Sequence, residues 1–138
     1  VADSGYTVRE ILTIASLIER ETDGEDRATI ASVIYNRLNN PNAGTQGYLQ
    51  IDATLAYING GNVPTEADKQ IDSPYNTYLY KGLPPAPIAN PGLESIQAAL
   101  EPEDTGYFYY ALGDDNKHHF FKTYDELRNF TASQEMYQ

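Results

Sequence analysis

Six of the eight prolines fall between residues 62 and 92, with Pro84, Pro85 and Pro87 nearly adjacent. Each lacks a backbone N–H and fixes φ near about −65°, so neither a regular helix nor a central strand can run through that segment. A structureless stretch of this length inside a compact chain is either disordered or functional, and the tyrosines of "DSPYNTYLYKGLPPAPIANPG" argue for an ordered loop. Regular structure must therefore gather on either side of it.

Before the loop, Ile11, Ile14, Ala15 and Ile18 recur at the spacing of an amphipathic helix over residues 7–21, and Thr7 with Glu10 offers a capping box at its start. After the polar break "TDGED", Ala28, Ala31, Val33, Ile34 and Leu38 give a second helix, with Glu25 and Asp26 suited to its positive N-terminal end. "NNPNAGTQG" ends it as a loop. Leu49, Gln50 and Ile51 read as a short extended piece, and Asp52 as the cap of a short helix over 53–57 that stops at Gly60 and Gly61. Beyond the loop, Asn90 as cap and Pro91 at the first helical position start a helix that Pro102 bounds. "YFYYAL" and "HHFFKT" around "GDDNK" form a β-hairpin, and Thr123 with Glu126 caps a C-terminal helix. The expected fold class is α+β: a single mixed domain, residues 1–138, of several helices packed on a small antiparallel sheet, with a long Pro-rich ordered loop.

With 41% hydrophobic residues among 138, the chain has enough apolar material for one core. The net charge of −11, from 9 basic against 20 acidic residues, repels phosphate backbones and disfavours nucleic acid as a partner. There is no cysteine, hence neither disulfide nor thiolate metal site. No run approaches the roughly 18–20 apolar residues of a membrane span, and the start shows no signal pattern. The chain reads as a soluble protein or an excised domain.

Glu19 and Glu21 both flank the apolar stripe of the first helix, Glu21 roughly 70° from its centre and Glu19 only slightly further off on the other side. A carboxyl group at such an edge is partly desolvated, which raises its pKa toward that of a general acid, but the same positions suit solvated flank residues, and the pattern does not choose between the two. In the loop, Tyr75, Asn76 and Tyr78 offer a stacking face and amide hydrogen bonds for a polar, flat-faced ligand such as a sugar; bracing of the loop is the equally plain alternative. Gln50 and Asp52, two apart in an extended piece, point to one side, where an amide and a carboxylate would meet a ligand, unless Asp52 is only a cap. His118 and His119 are neighbours on a strand and face opposite sides, so they do not make a metal site. No phosphate-binding glycine loop and no Gly-x-Ser-x-Gly elbow is present.

In order along the chain, "ILTIASLIERET", "ASVIYNRL", "LQIDATLAY", "DSPYNTYLYKGLPPAPIANPGLESIQAAL" and "YFYYALGDDNKHHF" resemble the catalytic domain of the endolytic murein transglycosylases, the YceG-like family. The resemblance implies a lyase that cuts peptidoglycan glycan strands between N-acetylmuramic acid and N-acetylglucosamine, leaving 1,6-anhydro ends, with no metal or organic cofactor. It places the catalytic glutamate on Glu21, the second of "ERET", and leaves Glu19 as a flanking residue. Gln50, Tyr75 and Asn76 match positions expected to line the glycan cleft, and His118 matches the family's His-x-Phe histidine. It further implies a membrane-anchored full-length protein with a LysM-like region, neither present here, acting on the outer face of the bacterial cytoplasmic membrane beside cell-wall synthases. A peptidoglycan-binding module without turnover and a muramidase hydrolase are the alternatives.

Overall fold

The computed structural model describes residues 5–22 and 24–138. Helix α1 spans Val8–Glu21, α2 Arg27–Asn39, α3 Asp52–Ile58, α4 Leu93–Leu100 and α5 Tyr124–Ser133, and strands β1 (Tyr109–Leu112) and β2 (His118–Phe121) form an antiparallel hairpin between α4 and α5. The fold is a single α+β domain, as expected.

Helix α1 is the centre of the core. Its capping box forms as read, with Glu10 N–H donating to the Thr7 hydroxyl and Thr7 N–H to the Glu10 carboxylate. Ile14, Leu17 and Ile18 are fully buried against Ile30 and Ile34 of α2, Ala98 and Ala99 of α4, and Leu49 and Ile51 ahead of α3. Each such side chain contributes about 1.5–3 kcal/mol by leaving water. Three helices thus converge on α1, and its last turn is left to face the hairpin. The α5 capping box of Thr123 and Glu126 also forms, and α5 packs across both strands.

Residues 62–92 carry no helix or strand beyond a 3-10 turn at Ala67–Gln70. Asn76, 0% exposed, organises the segment: its Nδ2 donates to Ile71 O (2.9 Å) and Lys69 O (3.1 Å), and its Oδ1 accepts from Tyr78 N–H (2.9 Å). The loop is tied to the core by Ile88 N–H on the Ser16 hydroxyl (3.1 Å) and by Gln50 N–H on Thr77 O (3.2 Å). Gly44, at φ +57°, leaves the space where Phe108 seats its ring; a Cβ there would lie 2.3 Å from Phe108 Cδ1. That close approach docks the start of the hairpin on the turn after α2.

Three local expectations are corrected. Asn90 and Pro91 do not start α4; Gly92 is its N-cap, because Gly92 N–H is taken by the Glu19 carboxylate. Asp52 is not a cap but the first residue of α3, after Ile51, and its carboxylate is engaged by Tyr78 instead. The piece from Leu49 to Ile51 is not extended, since Gln50 lies at φ +52° in the left-handed region.

Candidate active site

The two glutamates at the end of α1 have different fates. Glu19 Oε1 accepts from Gly92 N–H (2.8 Å) and from the Ser95 hydroxyl (2.9 Å), clasping the start of α4. These two hydrogen bonds hold its pKa below the usual carboxylate value. Glu21, the last residue of α1, turns toward the hairpin and borders an open cleft of about 830 Å³, shared with Thr22, Asp26, Asn116, Lys117 and His118. Glu21 keeps part of its surface on this cleft while its carboxyl group is crowded by protein atoms.

Burial is the largest influence on Glu21 and raises its pKa. The hydroxyl of Tyr110 donates to Oε2 (2.9 Å) and lowers it, the nearby charge of Asp52 raises it, and His118 and Arg37 lower it. The C-terminal end of a helix, where carbonyl dipoles point outward, is moreover a poor place for an anion. The outcome is a carboxyl group inclined to keep its proton, with Oε1 lacking a hydrogen-bond partner among the described residues.

Each neighbour arrives from a different element. Arg37, on the buried side of α2 and 7% exposed, donates to Phe108 O (2.7 Å) and Leu49 O, and its guanidinium stacks near the rings of Tyr109 and Tyr110 (5.7 and 5.9 Å to the centroids). Burial pushes Arg37 down from its ordinary value, and the same burial raises the Tyr110 phenol well above its own. His118 on β2 pairs through Nδ1 with Asp26 (2.7 Å) and lies edge-on to Tyr110, at 5.5 Å between ring centroids. His119, as the strand alternation requires, faces away to Asp115 and Phe130. Tyr78 donates to Asp52 Oδ1 (2.5 Å), and burial raises its phenol too.

Of the residues singled out in the sequence, Glu21, Asp52, Tyr78 and His118 are thus brought to one region. Asn76 is not at a surface: its amide is used up inside the loop, and it has no face with which to touch a ligand. Gln50 is exposed, but the premise that placed it beside Asp52, an extended backbone, does not hold. Tyr75 stands apart, its ring 4.9 Å from that of Tyr57 on α3. Tyr110, Arg37 and Asp26 were not foreseen as part of the site. An arginine within the apolar pattern of α2 was the available signal for Arg37; Tyr110 in a run of aromatics carried none.

The profile described as the YceG-like family matches residues 1–132, nearly the whole chain. The chain belongs to the YceG-like family. It is 45% identical over 123 residues to an endolytic murein transglycosylase of Bacillus subtilis strain 168, covering 87% of this chain and 33% of that protein. It is 36% identical over 118 residues to the endolytic murein transglycosylase of Streptococcus pneumoniae serotype 2, covering 80% of this chain and 20% of the relative. The crystal structure of a yceG-like protein from Listeria monocytogenes superposes with a TM-score of 0.84 at 41% identity, over 93% of this chain and 41% of that one. The chain therefore spans between about a fifth and a third of the length of these curated relatives.

Proposed function

We propose that this domain is an endolytic lytic transglycosylase of peptidoglycan, with Glu21 as its acid and then its base. The observation that carries the reading is Glu21 itself: a carboxyl group biased toward its protonated form by burial, steadied on Oε2 by Tyr110, on the wall of an open cleft. The names of the relatives from Bacillus subtilis and Streptococcus pneumoniae supply the substrate class.

Protonated Glu21 gives its proton from Oε1 to the glycosidic oxygen as the bond between N-acetylmuramic acid and N-acetylglucosamine breaks. The N-acetyl carbonyl of the muramic acid holds the anomeric carbon as a cyclic intermediate, as in substrate-assisted glycosidases. Glu21, now a carboxylate, is stabilised by the Tyr110 hydroxyl and by the nearby charge of Arg37. It takes the proton of the muramic acid's 6-hydroxyl, whose oxygen attacks the anomeric carbon and closes the 1,6-anhydro ring. Glu21 ends protonated and no water is consumed. His118, held by Asp26 on the cleft wall, is placed to meet a polar group of the sugar. Asp52 and Tyr78 act together, the carboxylate occupied by the phenol, and Asn76 serves only to set Tyr78. Gln50 and Tyr75 are peripheral contacts in this reading.

The proximity of Asp52 favours one second reading, a muramidase in which Asp52 activates water. The product decides between them. Uncrosslinked glycan strands incubated with the chain and with Glu21→Gln are to be compared by mass spectrometry. Internal fragments ending in 1,6-anhydromuramic acid, absent with the variant, are expected; reducing ends one water heavier would replace the transglycosylase by the hydrolase, and products undiminished in the variant would remove Glu21 from the mechanism. No described helix is long and apolar enough to cross a membrane. Action on the outer face of the cytoplasmic membrane, through a membrane-anchored full-length protein working beside cell-wall synthases, belongs to the same proposal.

A further inference from the structure

A second, smaller cavity of about 280 Å³ lies over α3, floored by Ala53, Ala56, Gly60 and Gly61, walled by Tyr57, and bordered by Arg20. Arg20 also borders the Glu21 cleft, so it lies between the two hollows. Small side chains leave a trough where larger ones would fill it; a Cβ built on Gly60 or Gly61 would meet nothing within 4 Å. Tyr57 is 47% exposed, and its ring is backed by that of Tyr75, 4.9 Å away between centroids. Among the described residues no carboxylate pairs with the Arg20 guanidinium, in a chain whose net charge is −11. A volume just under the usual range for small-ligand sites suits a single ring rather than a longer segment.

We infer that this trough is a saccharide subsite beside the Glu21 cleft, where one sugar ring of the same glycan strand stacks on Tyr57 while Arg20 meets the lactyl carboxylate of a muramic acid unit that carries no stem peptide. The inference rests on the function proposed above for its choice of strand. Tyrosine supplies the apolar face that a pyranose ring needs, and the guanidinium fits a carboxylate with paired donors. An enzyme that cuts within strands must hold sugars beyond the bond it breaks, and the shared border at Arg20 puts this trough beside the cleft.

The test measures binding by titration calorimetry in a Glu21→Gln background, which cannot consume its ligand. Two probes are used: glycan strands stripped of their stem peptides, whose muramic units carry free lactyl carboxylates, and an uncharged oligomer of N-acetylglucosamine. Tyr57→Ala is expected to weaken both by about tenfold, the scale of one lost aromatic contact, while Tyr57→Phe keeps both. Arg20→Gln is expected to weaken the glycan strand alone, and its unchanged grip on the neutral oligomer shows that the fold is intact. Unaltered binding in Tyr57→Ala and Arg20→Gln, alongside Glu21-dependent cleavage by the parent chain, overturns the subsite and leaves the proposed function standing. Tyr57-dependent binding with no cleavage by the parent chain supports the subsite and removes the catalytic reading. Equal losses on both probes in Arg20→Gln would overturn the assignment of Arg20 to a carboxylate.

Discussion

Asn76→Ala separates a loop organiser from a ligand contact. The side chain is completely buried, and it makes three well-formed hydrogen bonds, to Ile71 O at 2.9 Å, to Lys69 O at 3.1 Å and from Tyr78 N–H at 2.9 Å. A fourth approach, to Asp68 O at 3.5 Å, is too long to count. At about 1–1.5 kcal/mol net for each bond, the variant loses about 3–5 kcal/mol, more if the backbone partners stay dry and unpaired. Against a typical domain stability of about 5–15 kcal/mol this is a large share. With a urea slope of about 2 kcal/mol/M, the unfolding midpoint falls by about 2 M. Asn76→Asp does no better at neutral pH, because a carboxylate cannot donate to the two carbonyls. Equilibrium urea unfolding followed by circular dichroism reads both variants. A midpoint within about 0.3 M of the parent chain, combined with weakened glycan binding, would refute the reasoning and return Asn76 to the glycan cleft.

Tyr110→Phe removes a hydrogen bond that favours the Glu21 carboxylate, so the pKa of Glu21 rises further and the alkaline limb of the pH–rate profile moves up; a limb that stays put or moves down counts against the pairing. For stability, a raised carboxyl pKa means that the folded chain holds a proton the unfolded chain has released. The stabilising contribution is full below the unfolded value of about 4.3 and is lost as pH rises through the folded one. Glu21→Gln, neutral throughout, should therefore gain in melting temperature relative to the parent as pH rises from about 5 to 8, and a constant difference would contradict the raised pKa. Glu19 carries the opposite sign: its lowered pKa contributes above the ordinary carboxylate range and fades as pH falls. Glu19→Ala should melt below the parent at neutral pH and converge with it in acid; parallel curves would dismiss the clasp on α4 as a source of stability.

Most of the element plan was legible because it rests on local chemistry. The capping boxes of α1 and α5 need only residues three apart, and the apolar spacing of α1 announces the face it buries. The proline count excluded regular structure from 62–92, and apart from one 3-10 turn none formed. The local errors share a cause. Asn90 and Pro91 have better intrinsic start chemistry than Gly92, but Glu19, 73 residues earlier, takes the Gly92 N–H and fixes where α4 begins. Asp52 has the chemistry of a cap, and Tyr78 draws its carboxylate outward. A distant partner outbids a local preference worth about 1 kcal/mol.

The site was less legible for the same reason carried further. Glu19 and Glu21 are nearly equivalent about the helix axis, and what separates them is delivered by other elements: two donors from the start of α4 on one side, a partly buried phenol from β1 on the other. The donors stabilise charge and lower the pKa of Glu19; the crowded pocket opposes charge and raises that of Glu21. Arg37 cannot be recognised from its own segment, since its role depends on carbonyls at Leu49 and Phe108 and on the tyrosine rings stacked over it. A resemblance carried over residue by residue pointed to Glu21, yet it also carried over Asn76, which the fold uses inside the loop. Position in a motif says that a residue matters; only its partners say whether it acts on a ligand or on the chain that holds the ligand's site.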